Sequence, residues 1–161
     1  MNNQISKQCC THVSSPIEKR SNAKGRPNAV LLLNVNLSKR QLKLLEKLES
    51  FDSRVIVKKN SVSLKDLSAL TAKTGCEFAM FTKGNKRLII RGNDHMVNIH
   101  PADAIKLANY GFRWSGHTHP GNTTFCLVAS SGDYNILGAF KQERSVVYNS
   151  NGQHQLFHVD N

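Results

Sequence analysis

Short runs of apolar residues recur along the chain, and their length and flanking turns are typical of β-strands. Two pairs of runs are separated by turn residues at 83–85 and 150–152, which favours two β-hairpins. The predicted strands span residues 29–35, 54–58, 76–82, 86–91, 112–119, 145–148 and 153–159.

Apolar residues with helical spacing predict four helices between these strands. Ser38 is a predicted N-cap, and the leucines after it recur every three residues. Ser63 and Asp66 have capping-box form, and Gly75 can end the helix that they begin. The predicted helices span residues 39–50, 63–73, 101–110 and 133–142. The order of elements predicts an α/β (α+β) fold, in which helices pack on a mixed sheet.

The 161 residues suffice for one hydrophobic core, which favours a single main domain. Residues 1–28 are polar, have no sustained period and contain turn residues, so they are predicted to be a disordered or linker segment. Residues 29–60 are interpreted as a basic N-terminal extension and residues 61–161 as the catalytic domain.

The net charge of +11 is concentrated near the N-terminus. Residues 1–59 contribute +8 and residues 60–161 contribute +3. Such a region can contact nucleic acid, anionic lipid or an acidic protein, although a solvated face is the simpler interpretation because no aromatic residues lie among the charges.

No apolar run approaches the length of about 20 residues that spans a bilayer. The N-terminus lacks the apolar core of a secretory signal, so a cytoplasmic location is expected. The cysteines fall in no metal-ligand spacing, which favours reduced thiols. They are Cys9, Cys10, Cys76 and Cys126.

The segment from Gly116 to Asp133 carries the strongest chemical signal. His117 and His119 are two residues apart, so an extended strand directs both imidazoles to one side. Asp133 falls in the first turn of the predicted helix that follows. Two histidines and an aspartate form a workable zinc site with a fourth position left for water. Ordinary strand histidines and a helix-capping aspartate are the simpler alternatives.

Glu77 lies in an otherwise apolar strand. Strand alternation places it on the same face as Ala79 and Phe81, with Phe78 and Met80 on the other. An unpaired buried carboxylate is costly, so this position indicates a side chain that is either solvated or kept in a site.

These residues resemble the JAMM (MPN-type) metalloprotease motif, in which a Glu precedes HxHP and S-x-x-D. The matching segments here are TGCEFAMF, HTHP and Ser130 to Asp133, and the similar portion covers residues 63–160. Thirteen residues separate His119 from Asp133, three more than in the commonest family spacing. JAMM-like domains at the C-termini of bacterial contact-dependent toxins also look similar.

The resemblance implies a JAMM/MPN-like fold with a cytidine-deaminase-like layered architecture. It implies Zn²⁺ held by His117, His119 and Asp133. Glu77 would be the general base, and Ser130 would donate a hydrogen bond to the oxyanion. The implied substrate is a protein or peptide, including ubiquitin-like or isopeptide-linked ones, and a toxin would have an immunity protein as partner.

Two other functions remain open. A basic toxin nuclease could use the histidines on RNA or DNA, and nucleic acid could bind the basic N-terminal region. A catalytically inactive JAMM-like binding module is the third alternative. A zinc deaminase is disfavoured because the chain has neither H-x-E nor P-C-x-x-C.

Overall fold

A computed structural model describes residues 35–159, in which a six-stranded mixed sheet carries helices on both faces. The strands are β1 (Arg54–Lys58), β2 (Phe78–Lys83), β3 (Lys86–Arg91), β4 (Arg113–Thr118), β5 (Arg144–Tyr148) and β6 (His154–His158). The α-helices of this part of the chain are α1 (Lys39–Glu46), α2 (Leu64–Thr74), α3 (Pro101–Asn109) and α4 (Ser131–Ala139). The coarse α/β (α+β) prediction is therefore confirmed.

The strand order in the sheet is β1-β3-β2-β4-β5-β6. Neighbouring strands are antiparallel except for β4 and β5, which are parallel. A parallel pair needs a crossover connection, and α4 lies in this one. The crossover places the N-terminal end of α4 near the end of β4, where the two histidines are.

The two faces of the sheet carry different helices. Ala79 and Phe81 of β2 pack with apolar residues of α3 and α4. Phe78 and Met80 point the other way and pack with leucines of α1 and α2. The predicted alternation along β2 is confirmed, and the faces are named here the α3–α4 face and the α1–α2 face.

Part of the predicted basic extension belongs to this sheet. β1 pairs with β3 along its full length, and Leu44 and Leu48 are buried in the same cluster as Leu67 and Leu70 of α2. Residues 39–58 thus share the hydrophobic core of the sheet. The predicted linker 1–28 and nearly all of the predicted strand 29–35 lie outside the described residues.

Most predicted elements are present, with small shifts at their ends. Helix α1 ends at Glu46 and not at residue 50, because the chain turns at the C-cap residue Lys47. Helix α4 begins at Ser131, since Ser130 is its N-cap. Among residues 35–159, no helix has the length and apolar character needed to cross a membrane.

Candidate metal centre

Two histidines at the end of β4 are almost completely buried. His117 lies in β4 opposite Val147 of β5. His119 follows the strand, and its backbone N–H donates to the Tyr148 carbonyl at 2.8 Å. Each has only 2% of its surface exposed. Strand β5 therefore holds the backbone on both sides of Thr118, so that the two imidazoles meet.

Asp133 reaches the histidines from the first turn of α4 while it also caps that helix. Its Oδ2 accepts hydrogen bonds from the Ser130 N–H at 2.7 Å and the Ser130 hydroxyl at 2.9 Å. Its Oδ1 lies 3.0 Å from His117 Nε2. The capping role and the contact with His117 coexist, because each uses a different oxygen.

The three side chains converge on one point. His117 Nε2 lies 3.0 Å from His119 Nε2, and His119 Nε2 lies 3.7 Å from Asp133 Oδ2. One ligand atom from each residue lies within 4.8 Å of the others. Two nitrogen ligands of a tetrahedral zinc ion would be about 3.3 Å apart, given bonds of about 2.0–2.1 Å. The group could therefore hold a metal ion.

The orientation of each imidazole has its own cause. His119 Nδ1 lies 2.9 Å from the Cys126 carbonyl, which accepts its N–H and leaves Nε2 as the lone-pair nitrogen. His117 is oriented by packing, since its ring stacks on Trp114 with centroids 5.1 Å apart and contacts Phe157 edge-on. Its Nδ1 has no hydrogen-bond partner among the described residues.

The Asp133 carboxylate is held in its charged form. Burial alone would raise the pKa of this carboxyl group, but the nearby histidines and the Ser130 N–H outweigh burial and lower the pKa well below its usual range. An anionic oxygen thus faces two imidazoles, which is the donor chemistry that a divalent cation needs.

Glu77 stands next to this group, immediately before β2. It is 4% exposed, and its Oε1 lies 3.9 Å from His119 Nε2. It does not belong to the three-residue group that could share an ion. Its side chain lines the same cleft as Ala79 and Phe81, as the alternation predicts.

A cleft of about 190 Å³ opens onto the group on the α3–α4 face. Ser130 lines it and caps α4, because its hydroxyl accepts the Asp133 N–H at 3.2 Å while donating to Asp133 Oδ2. Its oxyanion role stays a prediction. Its other lining is largely apolar and includes Phe81, Met96, Val97, Ile99, Trp114 and Ile136.

The sequence reasoning missed the wall that residues 92–100 give this cleft. His95 lines the cleft beside Met96, although the sequence places no other potential metal ligand at a suitable spacing from it. The loop folds back because the Asn93 side chain accepts the N–H groups of both residues. A Cβ at Gly92 would lie 2.1 Å from the Met96 carbonyl oxygen, so the close approach requires glycine. The Gly-Asn-Asp turn was the available signal.

The remaining cysteine and histidine expectations have mixed outcomes. Cys76 is free, whereas Cys126 is disulfide-bonded, so the expectation of reduced thiols is wrong for Cys126. His100, His154 and His158 lie outside the group that could hold an ion. His12 lies outside the described residues.

Comparison with protein-family models, with curated proteins and with solved structures finds no match for this chain. Any assignment of function must therefore start from the residues of the cleft.

Proposed function

We propose that this chain is a zinc-dependent hydrolase of peptide or isopeptide bonds, with a JAMM/MPN-like fold. The observation that carries the proposal is the convergence of His117, His119 and Asp133. The carboxylate of Glu77 lies beside this group, 3.9 Å from His119 Nε2. Three protein ligands with nitrogen and oxygen donors are typical of catalytic zinc, because they leave a fourth position for water.

A zinc ion at this position would lower the pKa of a water molecule and polarise a substrate carbonyl. The protein would supply the proton transfers. Glu77 is buried and close to the ligand group, so its carboxylate could accept a proton during attack and return it to the leaving amine. Ser130 would have to exchange its bond to Asp133 for one to the oxyanion in order to act there.

The charge of the cleft favours an amide over a phosphodiester. Its lining includes the carboxylates Glu77 and Asp133, and no Lys or Arg is found among the described residues that form it. Apart from the proposed metal ion and the histidines, the described lining has no group that could offset the negative charge of a phosphodiester near the carboxylates. A peptide bond is neutral and fits the largely apolar walls.

Metal content of the purified full-length chain tests the site. We expect about one zinc per chain by elemental analysis, and loss of that zinc in His117→Ala/His119→Ala. The matched control is His154→Ala/His158→Ala, which removes two exposed histidines from β6 and should keep the zinc. Equal zinc in the wild type and in the His117/His119 variant would refute the metal site.

Activity then separates the three functions. The chain should be incubated with an isopeptide-linked ubiquitin-like substrate, a peptide mixture, tRNA and plasmid DNA. Hydrolysis of the protein substrates that requires His119 supports the proposal. Cleavage of nucleic acid that requires His119, without peptide-bond hydrolysis, would identify a nuclease. Zinc binding with no hydrolysis of any of them would identify an inactive binding module.

A further inference from the structure

The α1–α2 face carries a second concave surface with different chemistry. Two adjoining clefts of about 630 and 380 Å³ share Arg40 and Val62, and together they are named here the basic groove. Among the described residues that line it, six are basic and one, Asp66, is acidic. The basic residues are Lys39, Arg40, Lys43, Lys47, Lys59 and Arg87.

Asp66 is engaged within the fold. Its carboxylate accepts two hydrogen bonds from the Arg40 guanidinium, at 2.6 and 2.7 Å, and one from the Gln41 side chain at 2.9 Å. It is only 5% exposed. Asp66 therefore offsets the charge of Arg40, and the four lysines and Arg87 remain as a cluster of one sign.

The basic residues in the first turn of α1 oppose the stability of that helix. Lys39 and Arg40 occupy the first turn, which holds no acidic residue, although the helix dipole favours negative charge there. Lys39, Lys43 and Lys47 follow each other at four-residue spacing, which places like charges side by side. A surface selected only for solubility would carry both signs, so this one indicates an anionic partner.

We propose that the basic groove binds the phosphate backbone of double-stranded nucleic acid. Four residues of helix rise by about 6 Å, so the three lysines form a regular line that suits a polyanion with regularly spaced charges. Beside that line, the groove is also lined by hydrogen-bonding residues, namely Asn60, Ser63 and Asn85. No aromatic residue is present among its described lining. Single-stranded nucleic acid is bound largely by stacking its bases on aromatic side chains, so this lining favours a duplex.

This surface is separate from the metal centre. The groove involves α1 and the α1–α2 face, whereas the cleft with Asp133 lies on the α3–α4 face. Nucleic acid in the groove would therefore localise the protein and would not be its substrate. The binding is sequence-independent, because phosphate contacts read no bases.

Salt-dependent binding of a labelled DNA duplex tests the groove in the full-length chain. The variant is Lys39→Gln/Lys43→Gln/Lys47→Gln, and the control is Lys73→Gln/Lys106→Gln/Lys141→Gln, which removes the same charge from exposed positions elsewhere. We expect the groove variant to bind at least about tenfold more weakly at low salt. The slope of log K against log salt concentration should become shallower by about 3, because each phosphate that a lysine neutralises contributes about 0.9 to it. The control should retain most of the slope.

Three results would overturn the proposal. The first is that the wild type does not bind the duplex at about 50 mM salt. The second is that the control variant loses as much affinity and slope as the groove variant. The third is that the wild type prefers another polyanion. The last comparison uses a single-stranded oligonucleotide, polyglutamate and phosphatidylserine vesicles. Tighter binding of any one of these than of the duplex would assign the groove to that class instead.

Discussion

The metal cleft and the basic groove divide the chemistry of this molecule between the two faces of one sheet. The cleft collects the carboxylates of Glu77 and Asp133 and the buried imidazoles of His117 and His119. The groove collects ammonium and guanidinium groups, most of which are exposed. One surface is suited to a cation and the other to a polyanion, so their charges cannot serve a single ligand.

The two regions also differ in how firmly their side chains are positioned. In the cleft, Asp133 is held by Ser130, His119 by the Cys126 carbonyl, and His117 by Trp114. In the groove, the lysines extend from a helix surface into solvent. Substitutions in the cleft should therefore affect activity or folding strongly, and those of the groove lysines should change stability little.

The largest expected effect is that of Glu77→Gln on hydrolysis. Glutamine keeps the shape of the side chain but cannot accept a proton, so kcat should fall about 10²–10⁴-fold. Zinc content should not change, because Glu77 lies outside the group that could share an ion. Steady-state kinetics and elemental analysis measure the two quantities.

The control is Glu143→Gln, an exposed carboxylate next to β5, which should leave both unchanged. Loss of zinc in Glu77→Gln would make Glu77 a ligand, and unchanged turnover would remove it from the proposed mechanism.

A pair of glycines tests how tightly the cleft is built. Gly116 has φ of +148°, and a Cβ there would lie 2.8 Å from the Val146 carbonyl oxygen. Gly116→Ala should lower the free energy of unfolding by about 3 kcal/mol and weaken zinc binding, because His117 is the next residue. Urea unfolding with and without zinc measures both effects.

Gly138 of α4 is the matched control, since a Cβ there meets nothing within 4 Å. Gly138→Ala should raise stability by about 0.5–1 kcal/mol through helix propensity. Effects of the same sign in the two variants would contradict this account of β4.

Local signals in the sequence suffice to predict much of this fold. The predicted capping residues Ser38 and Ser63 both cap helices in the structure. Strands 54–58 and 86–91 begin and end at the predicted residues, because charged or turn residues flank each apolar run. The HxH spacing and the first-turn Asp133 likewise predict three side chains that the structure brings together.

Contacts between distant segments could not be predicted from such signals. The Cys126 carbonyl that orients His119 belongs to a short 3-10 helix, Thr124–Leu127, and a backbone acceptor has no residue-type signature. The basic groove was missed for a related reason. Its lysines on α1 and its residues near 59–63 and 85–87 come together only because β1 pairs with β3. Net charge alone indicated that residues 1–59 are basic, but it did not indicate which residues form one surface.

Asp66 connects α1 to α2 below the groove, so its removal should loosen the groove without affecting the cleft. Burial would raise the pKa of Asp66, but hydrogen bonds from Arg40, Gln41 and Ser63 outweigh it and lower the pKa below 3.8. Asp66→Asn should lower the free energy of unfolding by about 2 kcal/mol at neutral pH.

The same substitution has a pH signature. Because the folded-state pKa is depressed, the stabilisation by Asp66 is complete above 3.8 and is lost as pH falls through the folded-state pKa. The stability difference between wild type and variant should thus be constant from neutral pH down to about 5 and shrink below about 4. Asp52→Asn, which breaks a more exposed pair with Arg54, should cost less than about 1 kcal/mol. A difference for Asp66→Asn that grows on acidification would contradict the assigned sign.

The smallest effect expected on stability is that of Lys39→Glu in the groove, and its sign distinguishes function from stability. A glutamate in the first turn of α1 meets the favourable end of the helix dipole and stands four residues before Lys43, so stability should rise by about 0.5 kcal/mol. Duplex affinity should fall at the same time. Lys73→Glu in the last turn of α2 is the matched control, where the same charge change should reduce stability by a similar amount. Thermal unfolding at low salt resolves the two signs, and a Lys39→Glu variant that lost stability would show that this lysine supports the helix rather than an anionic partner.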